Sequence, residues 1–178
     1  VSARGEDSNQ TSITNVVSGL LTQDMTSDDN SASNSGAVYI YTRSGTNWSH
    51  QAYIKPSNAV ADGDFGSSVS LKGDILVVGA EGEDSNSTTI TDGSSSSSDT
   101  SVENSGAVYV FKRSGTSWTQ ISYIKAVNSR AGITFGRKVA LDNDNATIIV
   151  GSSSESSDQQ GITNGSSAST DTSSSGTG

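Results

Sequence analysis

Apolar residues along this chain come in short runs of two kinds, separated by long polar stretches. In residues 36–43 they alternate, with Ala37, Tyr39 and Tyr41 on one side of an extended strand and Val38 and Ile40 on the other. Ser44-Gly45-Thr46-Asn47 reads as a tight turn, and residues 48–55 as a second, more polar outer strand. Residues 65–71 alternate Phe65, Val69 and Leu71 against Gly and Ser. After the Lys72-Gly73-Asp74 turn comes Ile75-Leu76-Val77-Val78, a continuous apolar run of the kind buried on both sides. β-branched and aromatic residues dominate these runs, and Gly or Ser breaks every helical period, so four short strands are expected and helix is not.

The same pattern then repeats. Residues 34–71 and 104–141 align without a gap and share 20 of 38 residues, an internal duplication. A four-stranded sheet apolar on both faces cannot stand alone in water; stacking the same sheet on each side covers it. A unit of this length is too long for a solenoid rung and suits a propeller blade with an insertion. The expected fold is therefore all-β: four-stranded antiparallel blades of a partial β-propeller, with long Ser-, Asp- and Asn-rich loops. Residues 1–55 are expected to end one blade, with its loop at 4–34. Residues 65–125 form a complete blade with its loop at 81–104, and 135–178 begin a third. The chain opens in what reads as the tail of a strand and stops in a Ser-rich loop, as a segment of a longer array would.

The repeated motifs resemble the FG-GAP repeat, the blade unit of integrin α-subunit propellers and of many bacterial surface proteins. Phe65-Gly66 and Phe135-Gly136 match its first signature. Gly79-Ala80-Glu81 and, more loosely, Gly151-Ser152-Ser153 stand for its Gly-Ala-Pro, and residues 36–41 and 106–111 for its GAVYVF strand. The bacterial branch is the nearest, since Gly-Glu-Asp-Ser-Asn opens a long loop at residues 5–9 and again at 82–86. The resemblance implies an extracellular or cell-surface location, a role in adhesion, and a protein or glycan ligand. It also implies calcium, yet the family's DxDxDG loop is missing: Lys72-Gly73-Asp74 is too short for it, and Asp142-Asn143-Asp144-Asn145 is at most a vestige.

Composition adjusts this picture. Net charge is −9 with ten Lys and Arg, which leaves no basic footprint for nucleic acid and disfavours anionic membrane surfaces. There is no cysteine, so disulfides and thiolate metal sites are excluded. No apolar run is long enough for a membrane-spanning helix. Ca²⁺ takes six to eight oxygens from carboxylates, amides and carbonyls, and the long loops are rich in them. The candidate ligands are Glu83, Asp84, Asn86 and Asp99 in one loop and Glu6, Asp7 and Asn9 in the other, with Asp24, Asp28, Asp29, Asp92 and Glu103 nearby. No other cofactor is implied.

Catalysis finds little support. His50 is the single histidine, its counterpart in the second unit is Gln120, and no Gly-x-Ser-x-Gly elbow occurs. Trp48 and Trp118 recur at one repeat position and are read as packing between blades, with a sugar- or protein-contacting stripe as the alternative. Arg43, Arg113, Lys55 and Lys125 also repeat and are read as edge-strand charges that limit aggregation. The sequence thus points to a non-catalytic binding module whose variable loops present the contact surface. The alternative is a structural segment that self-associates through exposed sheet edges into a filament or surface layer.

Overall fold

The computed structural model describes residues 1–16, 29–157 and 159–165. Among these residues there is no helix, and hence none long and apolar enough to cross a membrane. The strands are β1 (Ser2–Ala3), β2 (Thr14–Asn15), β3 (Ala37–Ser44), β4 (Asn47–Ile54), β5 (Phe65–Lys72), β6 (Ile75–Ala80), β7 (Ile90–Asp92), β8 (Ala107–Ser114), β9 (Ser117–Ile124), β10 (Lys138–Leu141) and β11 (Ile148–Gly151). They form three sheets, ordered β1-β3-β4-β2, β5-β6-β8-β9-β7 and β10-β11, and every strand pairing is antiparallel. The all-β, antiparallel expectation holds.

The duplication is visible in the register. Val38 pairs with Ile54, Tyr39 with Tyr53 and Ile40 with Ala52. Val108, Tyr109 and Val110 pair with Ile124, Tyr123 and Ser122 in the same way. A bulge follows at the same place in both, at Ile40/Tyr41 and at Val110/Phe111. One difference from the sequence reading is an added outer strand. Thr14 lies opposite Tyr53 and Thr91 opposite Tyr123, so part of each polar insertion returns to the sheet and the middle sheet has five strands, not four. The Thr-Thr-Ile-Thr run at residues 88–91 has the β-branched content for this. An edge strand of two or three residues also shortens the unpaired edge.

The middle sheet is covered on both faces. Leu76, Val78, Tyr109, Phe111, Trp118 and Tyr123 pack against Val38, Ile40, Ala52 and Ile54 of the first sheet. From the opposite face Val77, Val108 and Val110 pack against Leu141, Val139, Ile148 and Val150 of the third. Phe65 is fully buried and meets Tyr109 and Phe111 edge-on at 5.3 and 6.0 Å. Strand β6 and the segment that leads into β10 approach so closely that only glycine fits: a Cβ on Gly79 would stand 1.9 Å from the Gly136 carbonyl oxygen. Gly106 combines a φ of +76° with a would-be Cβ 2.1 Å from the Phe135 carbonyl oxygen, and Gly36 repeats this against Phe65.

Trp118 shows what holds the first and middle sheets together. It is 1% exposed, its Nε1 donates to Gln51 Oε1 at 3.0 Å, and its backbone N–H donates to Asn15 Oδ1 at 2.8 Å. Its counterpart Trp48 is 68% exposed, because it lies on the face of the first sheet that no described element covers. The packing role read for this position is thus realised at Trp118. Arg43 and Arg113 each lie over the neighbouring Trp ring, at 5.8 and 5.6 Å. Trp118→Ala is expected to cost about 3–5 kcal/mol of unfolding free energy. Trp48→Ala should stay within about 0.5 kcal/mol. Urea titration of the two variants measures both, and equal losses would contradict this packing.

Candidate functional site: the base of the long loops

Tight turns close one end of the sheets, at residues 44–47, 72–75 and 114–117, while the long insertions and the connections between sheets leave the other. Each insertion is zipped shut at its base by its own backbone. Ala32 N–H donates to the Asp7 carbonyl and Gly36 N–H to that of Glu6; Val102 and Gly106 do the same to Asp84 and Glu83. The repeated Glu-Asp-Ser-Asn thus begins a loop whose two ends are pinned side by side.

Beneath each pinned base lies a buried ion pair. Lys125 Nζ donates to Glu83 Oε2 at 2.5 Å and to Ser105 Oγ at 2.7 Å, with the lysine side chain 0% and the glutamate side chain 4% exposed. Glu83 also accepts from the Tyr123 hydroxyl at 2.7 Å, from Asn58 Nδ2 at 3.2 Å and from the Ser85 N–H at 3.2 Å. In the first unit Lys55 Nζ reaches Glu6 Oε2 at 2.8 Å and Ser35 Oγ at 2.7 Å, and Ser8 Oγ lies 2.9 Å from the Tyr53 hydroxyl. Taking two charges out of water costs several kcal/mol per ion, so such a pair persists only where further hydrogen bonds complete it. Both do here.

The electrostatics follow from this geometry. Burial pushes the Glu6 carboxyl up, but hydrogen bonds from Lys55, Tyr53 and Ser8 outweigh it and hold the group below the usual carboxylate range. Burial pushes Lys55 and Lys125 down from the usual amine range, opposed by Glu6 and Glu83 respectively. Burial likewise raises the Tyr53 and Tyr123 hydroxyls far above the usual phenol range. These tyrosines act as hydrogen-bonding groups, not as acids.

The candidate calcium ligands separate in space. Glu6 and Glu83 take part in the buried pairs. Asp7 Oδ1 accepts from the Asn34 N–H at 2.8 Å and Asp84 Oδ1 from the Asn104 N–H at 2.7 Å, which fixes two asparagines with φ of +52°. Asp99 Oδ1 accepts from Asn86 N–H at 2.9 Å and from Ser101, and those bonds lower its carboxyl below the usual range. The Asn9 and Asn86 residues are exposed. Asp24 and Asp28 lie outside the described residues. Among the described residues no group of three or more acidic or His side chains could hold a metal ion. The carboxylate oxygens of Glu6 and Glu83 are taken up by a lysine ammonium and by Ser, Tyr and Asn donors. At the short turn where the family would carry its metal loop, Asp74 instead pairs with Arg113 at 2.7 Å.

The reading of Lys55 and Lys125 as exposed edge charges is corrected: both are buried, and they are the cations of the site. Sequence reasoning also passed over Ser8, Ser85, Ser35, Ser105 and Asn58. The available signal was that Tyr-x-Lys ends the outer strand in both copies while Glu-Asp-Ser opens both loops. His50 rests its Nε2 2.9 Å from the Ala52 carbonyl oxygen, beside the rings of Tyr39 and Tyr41.

Comparison with known families agrees with the repeated motifs: residues 48–111 match the FG-GAP repeat. The match runs from β4 to β8, so the family unit straddles two of the sheets. No curated protein and no solved structure matches the chain.

Three outcomes test the site. Lys125→Met leaves Glu83 buried without its cation and is expected to cost about 3–5 kcal/mol; adding Glu83→Gln should recover part of that loss. Because Glu6 titrates lower in the folded chain than unfolded, its contribution is present at neutral pH and is lost as pH falls through the lowered value. The melting temperature should therefore drop on acidification, and less steeply in Glu6→Gln. Melting curves in millimolar Ca²⁺ and in excess chelator should coincide; a clear rise with Ca²⁺ would show a metal bound to the folded state.

Proposed function

We propose that this chain, carrying the FG-GAP repeat at residues 48–111, is a non-catalytic binding module. Its sheets are successive blades of a β-propeller, and its polar loops form the contact face at a cell surface. The carrying observation is the gathering of the insertions at one end of the sheets, each pinned at its base, with the second largely exposed beyond it. A rigid scaffold under loops that differ between otherwise alike units is the usual arrangement for recognition. Ser, Thr, Asn and Asp dominate the loops, which suits a hydrogen-bonding ligand such as a glycan or a polar protein surface. The loops also cross-brace: Ser57 Oγ donates to Ser96 Oγ at 2.7 Å and Asn58 Nδ2 to the Ser97 carbonyl at 2.6 Å. The connection between two sheets thereby steadies the next insertion.

One observation favours a second reading, in which copies assemble into a filament or surface layer. Trp48 and Tyr41 are exposed on one outer face of the stack and Ile149 on the other. A head-to-tail contact between such unlike faces would propagate or close into a ring.

Two measurements separate these readings. On arrays of glycans and extracellular proteins, the purified chain is expected to bind a defined subset. Replacing residues 94–100 with a Gly-Ser linker should abolish binding, with only a modest fall in melting temperature from the lost Ser57–Ser96 and Asn86–Asp99 bonds. Binding that survives the replacement would overturn the loop-face reading. Light scattering over a hundredfold concentration range should then show one constant mass; growth of polymers, abolished by Trp48→Ser, would favour assembly.

A further inference from the structure

A cavity of about 300 Å³ opens where parts of the two long insertions come together. Thr11 and Ile13 in its lining belong to the first insertion and Ser94 to the second. Lys55 and Ser57 come from the connection between the sheets, and Trp118 and Gln120 from β9. Neither unit builds it alone. Asn15, also in the lining, ties the two sides: its Nδ2 donates to the Trp118 carbonyl at 3.3 Å, and its Oδ1 accepts from the Trp118 N–H at 2.8 Å.

Gln120 sets the chemistry of this cavity. It is 7% exposed, and its Nε2 donates to Ser96 Oγ at 3.1 Å and to the Ser95 carbonyl at 3.4 Å. Its Oε1 accepts from no described residue and is not among the oxygens sealed off from solvent, so this acceptor opens on the cavity. A buried amide oxygen of this kind calls for a donor. The Thr11 and Ser94 hydroxyls likewise bond to no described residue. Lys55 is the one charged residue in the lining, and its Nζ is engaged by Glu6 and Ser35. The set is not a by-product of the repeat. Gln120 stands where the first unit has His50, turned to the Ala52 carbonyl, and Ser57 where the next connection has Val127.

We propose that this cavity binds a neutral sugar unit, one pyranose ring of a longer glycan. Such a ring carries hydroxyls around its edge and C–H groups on its faces. The hydroxyls donate to Gln120 Oε1 and exchange hydrogen bonds with Thr11 and Ser94, while the C–H groups lie against Ile13 and the edge of Trp118. An anion finds no free cation here and approaches a chain of net charge −9. A cation finds no carboxylate in the lining. A wholly apolar ligand would leave Gln120 Oε1 buried without a partner. The volume lies at the lower end of the range for small-molecule sites, about 300–1,000 Å³, which suits one ring. The proposal rests on the reading of the loops as a ligand face and gives that face a ligand class and a position.

The test is NMR titration of the nitrogen-labelled chain with the methyl glycosides of glucose, galactose and mannose. Each is added to about 20 mM, enough to load a site of millimolar Kd. At least one is expected to shift the backbone amide signals of Ile13, Ser57, Ser94 and Gln120 and to leave those of β10 and β11 in place. Methyl glucuronide, which is anionic, should shift none of them. Gln120→Met removes the acceptor at similar size and should weaken binding by about tenfold or more. Thr11→Trp, at an exposed position, should block the cavity and abolish binding at an unchanged melting temperature. Silence with all three glycosides, an equal response to the glucuronide, or binding indifferent to both substitutions would overturn the proposal. Array binding that Thr11→Trp leaves intact would sink the cavity and spare the loop face, whereas a chain that binds neither arrays nor glycosides would sink both.

Discussion

Everything in this structure follows from a sheet that has no wet face. The middle sheet carries Leu76, Val78, Tyr109, Phe111 and Trp118 on one side and Val77, Val108 and Val110 on the other. At about 25 cal/mol per Å² of apolar surface, leaving either side in water would cancel the gain from ordering the strands. The neighbours must be sheets of matching twist and pleat, and duplication of the unit supplies them. The glycines follow from the same demand, since β6 comes within contact of the backbone that leads into β10 at Gly79 and Gly136.

The buried lysine–glutamate pairs solve a different problem. An insertion of twenty or so polar residues brings no core of its own, so its base must be held by something stronger than turn chemistry. Each pair ties the start of a long loop to the residue that follows β4 or β9, and the flanking Ser and Tyr groups satisfy remaining lone pairs. A bound divalent cation could do the same work. Here the positive charge is part of the chain, so the loop base forms together with the sheet.

The fold was legible where periodicity carried it. The duplicated strands from Ala37 to Ile54 and from Ala107 to Ile124 alternate or run apolar, and no other element type accommodates that pattern. β2 and β7 were hidden because two or three residues inside a polar run have no period to detect. The site was half legible. Repetition marked Glu6 and Glu83 as special, but it gave no reason to prefer lysine over calcium as their partner. Whether Lys125 is a surface charge or a buried cation depends on Glu83, 42 residues away, and on a fold that brings them together. A residue following an alternating strand offers no sign of which will occur.

The pinned loop bases also bear on how this chain can vary. The first insertion is longer than the second, yet both leave and re-enter their sheets through the same bonds: Gly36 to Glu6, Gly106 to Glu83. Once the ends are fixed, doubling a loop's length adds only about 0.6 kcal/mol of closure entropy. Insertions, deletions and wholesale exchange of loop interiors are therefore nearly invisible to the scaffold. The sheets can remain under tight constraint while the loops drift freely, and the two halves of the molecule can evolve at different speeds.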